Sequence, residues 1–152
     1  MREALPKGYE LIINAESQMK IIVGEVIGEG GSCIAYKGEM QIGVPVPVVL
    51  KECFPLNLPI ERKSVLDGNE DYSLIISDKE NEKEWEEKFN FRKEKFVKGI
   101  LHNTKIACLN ETNEFFCVGK ANNTLYSCSL YNKGELLSEY IKKRPMSISE
   151  IV

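Results

Sequence analysis

Gly28-Glu29-Gly30-Gly31-Ser32-Cys33-Ile34-Ala35-Tyr36, followed by Val49-Leu50-Lys51-Glu52-Cys53-Phe54-Pro55, is the stretch on which the fold turns. Before it, residues 20–29 (KIIVGEVIGE) are apolar and β-branched and read as a strand running into a glycine cluster. Residues 32–39 (SCIAYKGE) resume as a second strand, and residues 43–53 (GVPVPVVLKEC) as a third. Pro45 and Pro47 cannot donate ladder hydrogen bonds, so the start of the third strand is expected at an edge or outside pairing. Three strands joined by short turns make an antiparallel meander.

Downstream, residues 54–69 hold Pro55, Pro59 and Asp67-Gly68 and read mostly as loop, with a short strand at 72–76. Ser77 followed by Glu80 is a capping-box pattern, which predicts a helix over 77–101. Trp85, Phe89, Phe96 and Ile100 recur on one helical face and are expected to pack on the sheet as core. Residues 115–120 and 124–131 read as two strands around an Ala121-Asn122-Asn123 turn. Lys133-Gly134 breaks the pattern, 135–143 (ELLSEYIKK) reads as a short helix ended by Pro145, and 147–152 begins another.

Composition excludes several function classes. Of 152 residues, 43% are hydrophobic and 28% charged, as in an ordinary globular domain. A net charge of −3 gives no basic footprint for nucleic acid. No apolar run approaches a membrane span, and MREALPKGYE has no signal-peptide character. Cys33, Cys53, Cys108, Cys117 and Cys128 form no C-x-x-C pair, and His102 is the sole histidine. Zinc, redox-motif and triad chemistry are therefore not expected. An odd cysteine count without a secretory signal points to reduced thiols in the cytoplasm.

The glycine turn, the lysine strand and the element order that follows resemble the protein kinase family. Lys51 followed by Glu52, Cys53, Phe54 and Pro55 resembles its bacterial serine/threonine branch. The resemblance covers residues 20–144 and implies an α+β fold: a small kinase lobe of five antiparallel strands packed with one long helix. The implied division is an N-terminal extension over 1–19, the lobe over 20–131, and a hinge with the first helix of a larger lobe over 132–152. In the family, a glycine-rich loop covers the ATP phosphates and a strand lysine holds the α- and β-phosphates. Carried onto this chain, the ATP-binding residues are Ile27, Gly28, Glu29, Gly30, Gly31, Ser32, Cys33, Ala35, Val49 and Lys51, with hinge residues Ser129, Leu130, Tyr131 and Asn132. Glycines at 28 and 30 remove side chains, so that backbone N–H groups can approach phosphate oxygens closely. Ser129 would leave open the pocket behind the hinge.

The departures matter as much. Cys33 stands at the third glycine position; it either faces the nucleotide or turns inward from the second strand. Glu94 is the candidate carboxylate to pair with Lys51, yet the family's spacing points nearer to Gly99 or Ile100. Without a pairing glutamate, Lys51 is not oriented for transfer. The chain has no His-Arg-Asp loop and no Asp-Phe-Gly motif, and its aspartates are Asp67, Asp71 and Asp78. Phosphoryl transfer needs carboxylates to hold Mg2+ and to orient the hydroxyl. The expectation is thus the ATP-binding part of a serine/threonine kinase, inactive alone. Mg-ATP and a protein substrate would serve its full-length parent. The alternative is a pseudokinase or interaction module with weak or no nucleotide binding.

Overall fold

The computed structural model describes residues 2–13, 19–64, 71–109 and 117–131, with side chains as far as residue 100 in the helix. Eight strands and one helix follow along these residues: β1 (Glu10–Ile13), β2 (Met19–Glu29), β3 (Cys33–Gln41), β4 (Pro45–Cys53), β5 (Ile60–Arg62), β6 (Leu74–Ile76), α1 (Glu82–Leu109), β7 (Cys117–Ala121) and β8 (Thr124–Leu130). Six of the strands form one antiparallel sheet in the order β1-β2-β3-β4-β8-β7, while β5 and β6 pair separately.

The large sheet curls until its end strands β1 and β7 approach each other, giving a nearly closed barrel. Alternation drives the closure, because successive strand residues point to opposite faces. Leu11 and Ile13 of β1, Ile21 and Val23 of β2, Ile34 and Tyr36 of β3, Val48 and Leu50 of β4, and Tyr126 and Cys128 of β8 are all buried on the inner side. Polar contacts help close the seam. Tyr9 donates from its hydroxyl to Asn122 Oδ1 (3.3 Å), and Cys117 Sγ lies 3.5 Å from Met19 Sδ.

A turn and a bulge set the register. Asn122 and Asn123 both have positive φ (49° and 60°), the geometry of a two-residue turn matched to strand twist. Between Val23 and Val26 the β2–β3 register shifts, and Gly24 sits there with no room for a side chain: a Cβ would lie 2.7 Å from the Lys37 carbonyl oxygen. Pro45 pairs only with β3, and Pro47 meets the other side through its carbonyl alone, since β8 pairs with β4 from Val48 onward.

These findings correct the expected architecture. The fold is a mostly β, six-stranded barrel-like sheet with one helix, not the five-stranded kinase-type lobe packed on a long helix. The sixth strand, β1, comes from the segment expected to be an extension. Most of the core lies inside the curled sheet: Leu11 and Ile13 of β1 are buried there, Cys117 and Ala121 of β7 pack half-buried against the same cluster, and Phe89 of the helix joins it. The helix also differs in span. Ser77 donates its hydroxyl to the Pro59 carbonyl (3.1 Å) instead of capping, and Asp78 accepts from Asn81 N–H (3.3 Å) and the Trp85 indole (2.9 Å). The helix therefore starts at Glu82 and runs to Leu109. The expected elements after residue 131 lie outside the described residues.

Candidate functional site

Strand β4 alternates between two environments. Val48, Leu50 and Glu52 point into the barrel, so Val49, Lys51 and Cys53 point outward. Register then lays a row across four strands: Gly28 opposite Ala35, Ala35 opposite Lys51, and Lys51 opposite Ser127. Directly opposed residues share a face. A second outward row runs Lys37, Val49, Ser129. The Phe54 N–H donates to the Ser32 carbonyl (3.0 Å), a bond that flanks a non-hydrogen-bonded pair at Cys33 and Cys53. By alternation Ala35 and Lys51 are also such a pair, with side chains close together. Lys51 is exposed and, among the described residues, has no hydrogen-bond or ion-pair partner.

The glycine turn is a tight hairpin, closed by a Gly30 N–H to Cys33 carbonyl bond of 2.9 Å. Its tip leans on the segment after β4, where Leu56 N–H donates to the Gly31 carbonyl (2.9 Å). The fold itself makes little demand for glycine here. A Cβ at Gly30 or Gly31 would meet nothing within 4 Å, and one at Gly28 would meet only the Ala35 Cβ, 4.0 Å away. Open space thus lies over the positions where the sequence spends three glycines.

Arg92 is the neighbour that sequence reasoning missed. From the helix it donates to Ser32 Oγ (3.1 Å) and Asn57 Oδ1 (2.8 Å), placing a guanidinium at the turn. Its position in a run of mixed charges carries no signal of this; only the docking angle of the helix reveals it.

The remaining candidates are placed as follows. Ile27 and Glu29 are exposed at the end of β2, and Cys33 takes the outward face, half-buried, rather than the interior. Ser129 is half-buried opposite Val49. Of the hinge residues, Tyr131 donates its N–H to the Pro47 carbonyl (3.0 Å), so that donor is already engaged. The same bond makes Val48 and Leu130 a non-hydrogen-bonded pair, which turns the Leu130 polar groups away from β4. The Lys37 ammonium lies 5.0 Å from the centre of the Tyr131 ring. Asn132 lies outside the described residues. Glu94 is exposed and lines a groove of about 750 Å³ between helix and β7–β8 hairpin, with Lys93, Lys98, Lys120 and Leu125. It forms no ion pair with Lys51 among the described residues.

Behind Lys51, on the inner face, sits a buried polar cluster. Glu52 accepts from Tyr36 (2.9 Å), from Tyr126, and from both terminal nitrogens of Arg62 (2.6 and 3.0 Å). Arg62 also donates to the carbonyls of Glu3 (2.9 Å) and Tyr72 (2.7 Å), tying the N-terminal segment and the β5–β6 hairpin to the barrel. Burial depresses the Arg62 guanidinium, but the Glu52 carboxylate more than offsets this and holds it above its ordinary value. The cluster is closed to solvent and therefore braces β4 instead of touching a ligand.

Chemically, the outward face offers a cation with no side-chain partner among the described residues, small side chains, and open space over Gly28, Gly30 and Gly31. Among the described residues, no group of three or more His, Cys, Asp or Glu side chains could hold a metal ion. The described residues thus form no ready cage for a resident Mg2+. No helix of the described residues is long and apolar enough to cross a membrane. Comparison with family models, curated proteins and solved structures gives no match.

Proposed function

We propose that the outward face of β2, β3 and β4 binds a nucleoside triphosphate, with ATP as the ligand. The observation that carries this reading is Lys51: exposed, without a side-chain partner among the described residues, fixed in mid-sheet two strands from Gly28 across Ala35, and close to glycines that the packing of the described residues does not require. A compact ammonium on a rigid strand suits a polyphosphate, and Ala35 and Val49 give a small apolar floor for a base. Mg2+ would travel with the phosphates, because the described residues supply no carboxylate cage for it. An open face buries little of the ligand, so the dissociation constant is on the order of 1 mM, about 4 kcal/mol of binding. Calorimetric titration with Mg-ATP tests this. Lys51→Ala should weaken binding by about tenfold, the worth of one charge-assisted contact. Equal heats and affinity in that variant would remove Lys51 from the site.

The resemblance to bacterial serine/threonine kinases supports placing this nucleotide in a phosphotransfer reaction. The chain alone is expected to be inactive, since it holds no aspartate in a catalytic or metal-binding loop. The position of Glu94 favours a second reading, a non-catalytic interaction module with weak or no nucleotide binding, because no carboxylate among the described residues pairs with Lys51 to orient it. Incubation with labelled ATP, Mg2+ and a generic protein substrate should leave no label above a blank; transfer that tracks the purified chain would contradict both readings.

A further inference from the structure

Cys33 and Cys53 stand directly opposite each other where β3 leaves the glycine turn and β4 ends. The Phe54 N–H to Ser32 carbonyl bond makes them a non-hydrogen-bonded pair, the closer of the two antiparallel types. Their Cβ atoms thereby come nearest to the roughly 3.5–4.5 Å separation that a disulfide needs. Both side chains take the outward face, and the two differ in access: Cys33 is half-buried, whereas Cys53 is buried. Cys117 and Cys128 are also in register. They form the wider, hydrogen-bonded type, counted back from the two-residue Asn122-Asn123 turn; their thiols interact with each other, but both take the inner face and Cys128 is buried in the apolar barrel, away from a soluble disulfide.

We infer that Cys33 and Cys53 form a dithiol modification site that takes a low-molecular-weight disulfide as its oxidising co-reactant and closes to a Cys33–Cys53 disulfide. The inference stands on register and exposure, and does not depend on the nucleotide reading. In the first step the Cys33 thiolate attacks one sulfur of the small disulfide. A Cys33 mixed disulfide forms, and one small thiolate leaves and takes up the proton that Cys33 lost. In the second step Cys53 attacks the Cys33 sulfur, the mixed disulfide breaks, and the second small thiol departs with the Cys53 proton. Two protein thiols are oxidised by two electrons and one small disulfide is reduced to two thiols, so the exchange balances. Access fixes the order. Burial pushes the Cys53 thiol up to about 11, so it is a poor first nucleophile in solution. Once Cys33 carries the adduct, Cys53 needs only to attack across the strand pair, with the positive charge of Lys93 acting on it. The product staples the base of the glycine turn, whose tip is otherwise held by Phe54, Leu56 and Arg92.

The test treats the reduced full chain with oxidised glutathione, traps remaining thiols with N-ethylmaleimide, and maps disulfides by peptide mass spectrometry. The linked Cys33–Cys53 peptide should exceed every other pairing by about tenfold or more, because closure at a preset pair outruns random pairing. Cys53→Ser should instead accumulate the glutathione adduct at Cys33, and Cys33→Ser should leave Cys53 as a free thiol. A persistent Cys33 adduct in the unmutated chain would overturn the site. So would a pairing pattern the same as that of the urea-unfolded chain, or a dominant Cys117–Cys128 link.

Discussion

At the scale of single residues, the molecule is decided by a carboxylate facing inward beside an ammonium facing outward. Lys51 and Glu52 are adjacent, and strand alternation sends them to opposite sides of β4. The placement of Lys51 on a strand was legible as a lone cation in an apolar run. The burial of Glu52 was not, because its partner Arg62 and the hydroxyls of Tyr36 and Tyr126 come from distant points in the chain. Removing Arg62 by Arg62→Ala would leave Glu52 uncompensated in the interior and should cost about 3–5 kcal/mol in chemical denaturation. The same cluster sets an alkaline limit. Burial first, and the Glu52 charge second, hold the Tyr36 and Tyr126 phenols above their ordinary value. A folded-state value raised in this way contributes stability that is whole below about pH 10 and is lost as pH rises beyond it. Phenolate absorbance should therefore show these two tyrosines ionising late, together with unfolding. Ordinary titration of every tyrosine in a chain that stays folded would contradict the cluster.

At the scale of elements, β2, β3, β4 and β8 were readable as apolar runs, and the Asn122-Asn123 turn as turn chemistry. Two strands escaped. Glu10–Ile13 is short and follows Pro6 and Gly8, while Ile60–Arg62 hides a buried arginine inside a proline-rich stretch. The helix was legible from its aromatic stripe, but its start was misread because Ser77 spends its hydroxyl on Pro59 and Asp78 takes the capping contacts. Helix residues do not share the core equally. Phe89 is 2% exposed, whereas Phe96 only packs against the core cluster. Phe89→Ala should cost about 3–5 kcal/mol in denaturation, and Phe96→Ala clearly less. In β2, Gly24→Ala would drive a methyl group to 2.7 Å from the Lys37 carbonyl oxygen. A loss of about 1–3 kcal/mol is expected there, and Gly30→Ala, which meets open space, should be tolerated far better. Equal effects at the two glycines would show that the bulge is misplaced.

At the scale of the whole molecule, the closing of the sheet was the feature that sequence reading could not supply. Each strand reports which residues face inward, but whether β1 reaches β7 depends on accumulated twist and on distant contacts such as Tyr9 with Asn122. The consequence for function is geometric. With its core inside the barrel, the sheet leaves the outward row Gly28, Ala35, Lys51 free to meet a ligand. The claim that this row is the nucleotide site is tested most directly by NMR titration of the chain with Mg-ATP. Shift changes should cluster at Gly28 to Ala35, Val49 and Lys51 and fade in the Lys51→Ala variant. Saturable changes confined to other surfaces, and untouched by that substitution, would contradict the assignment.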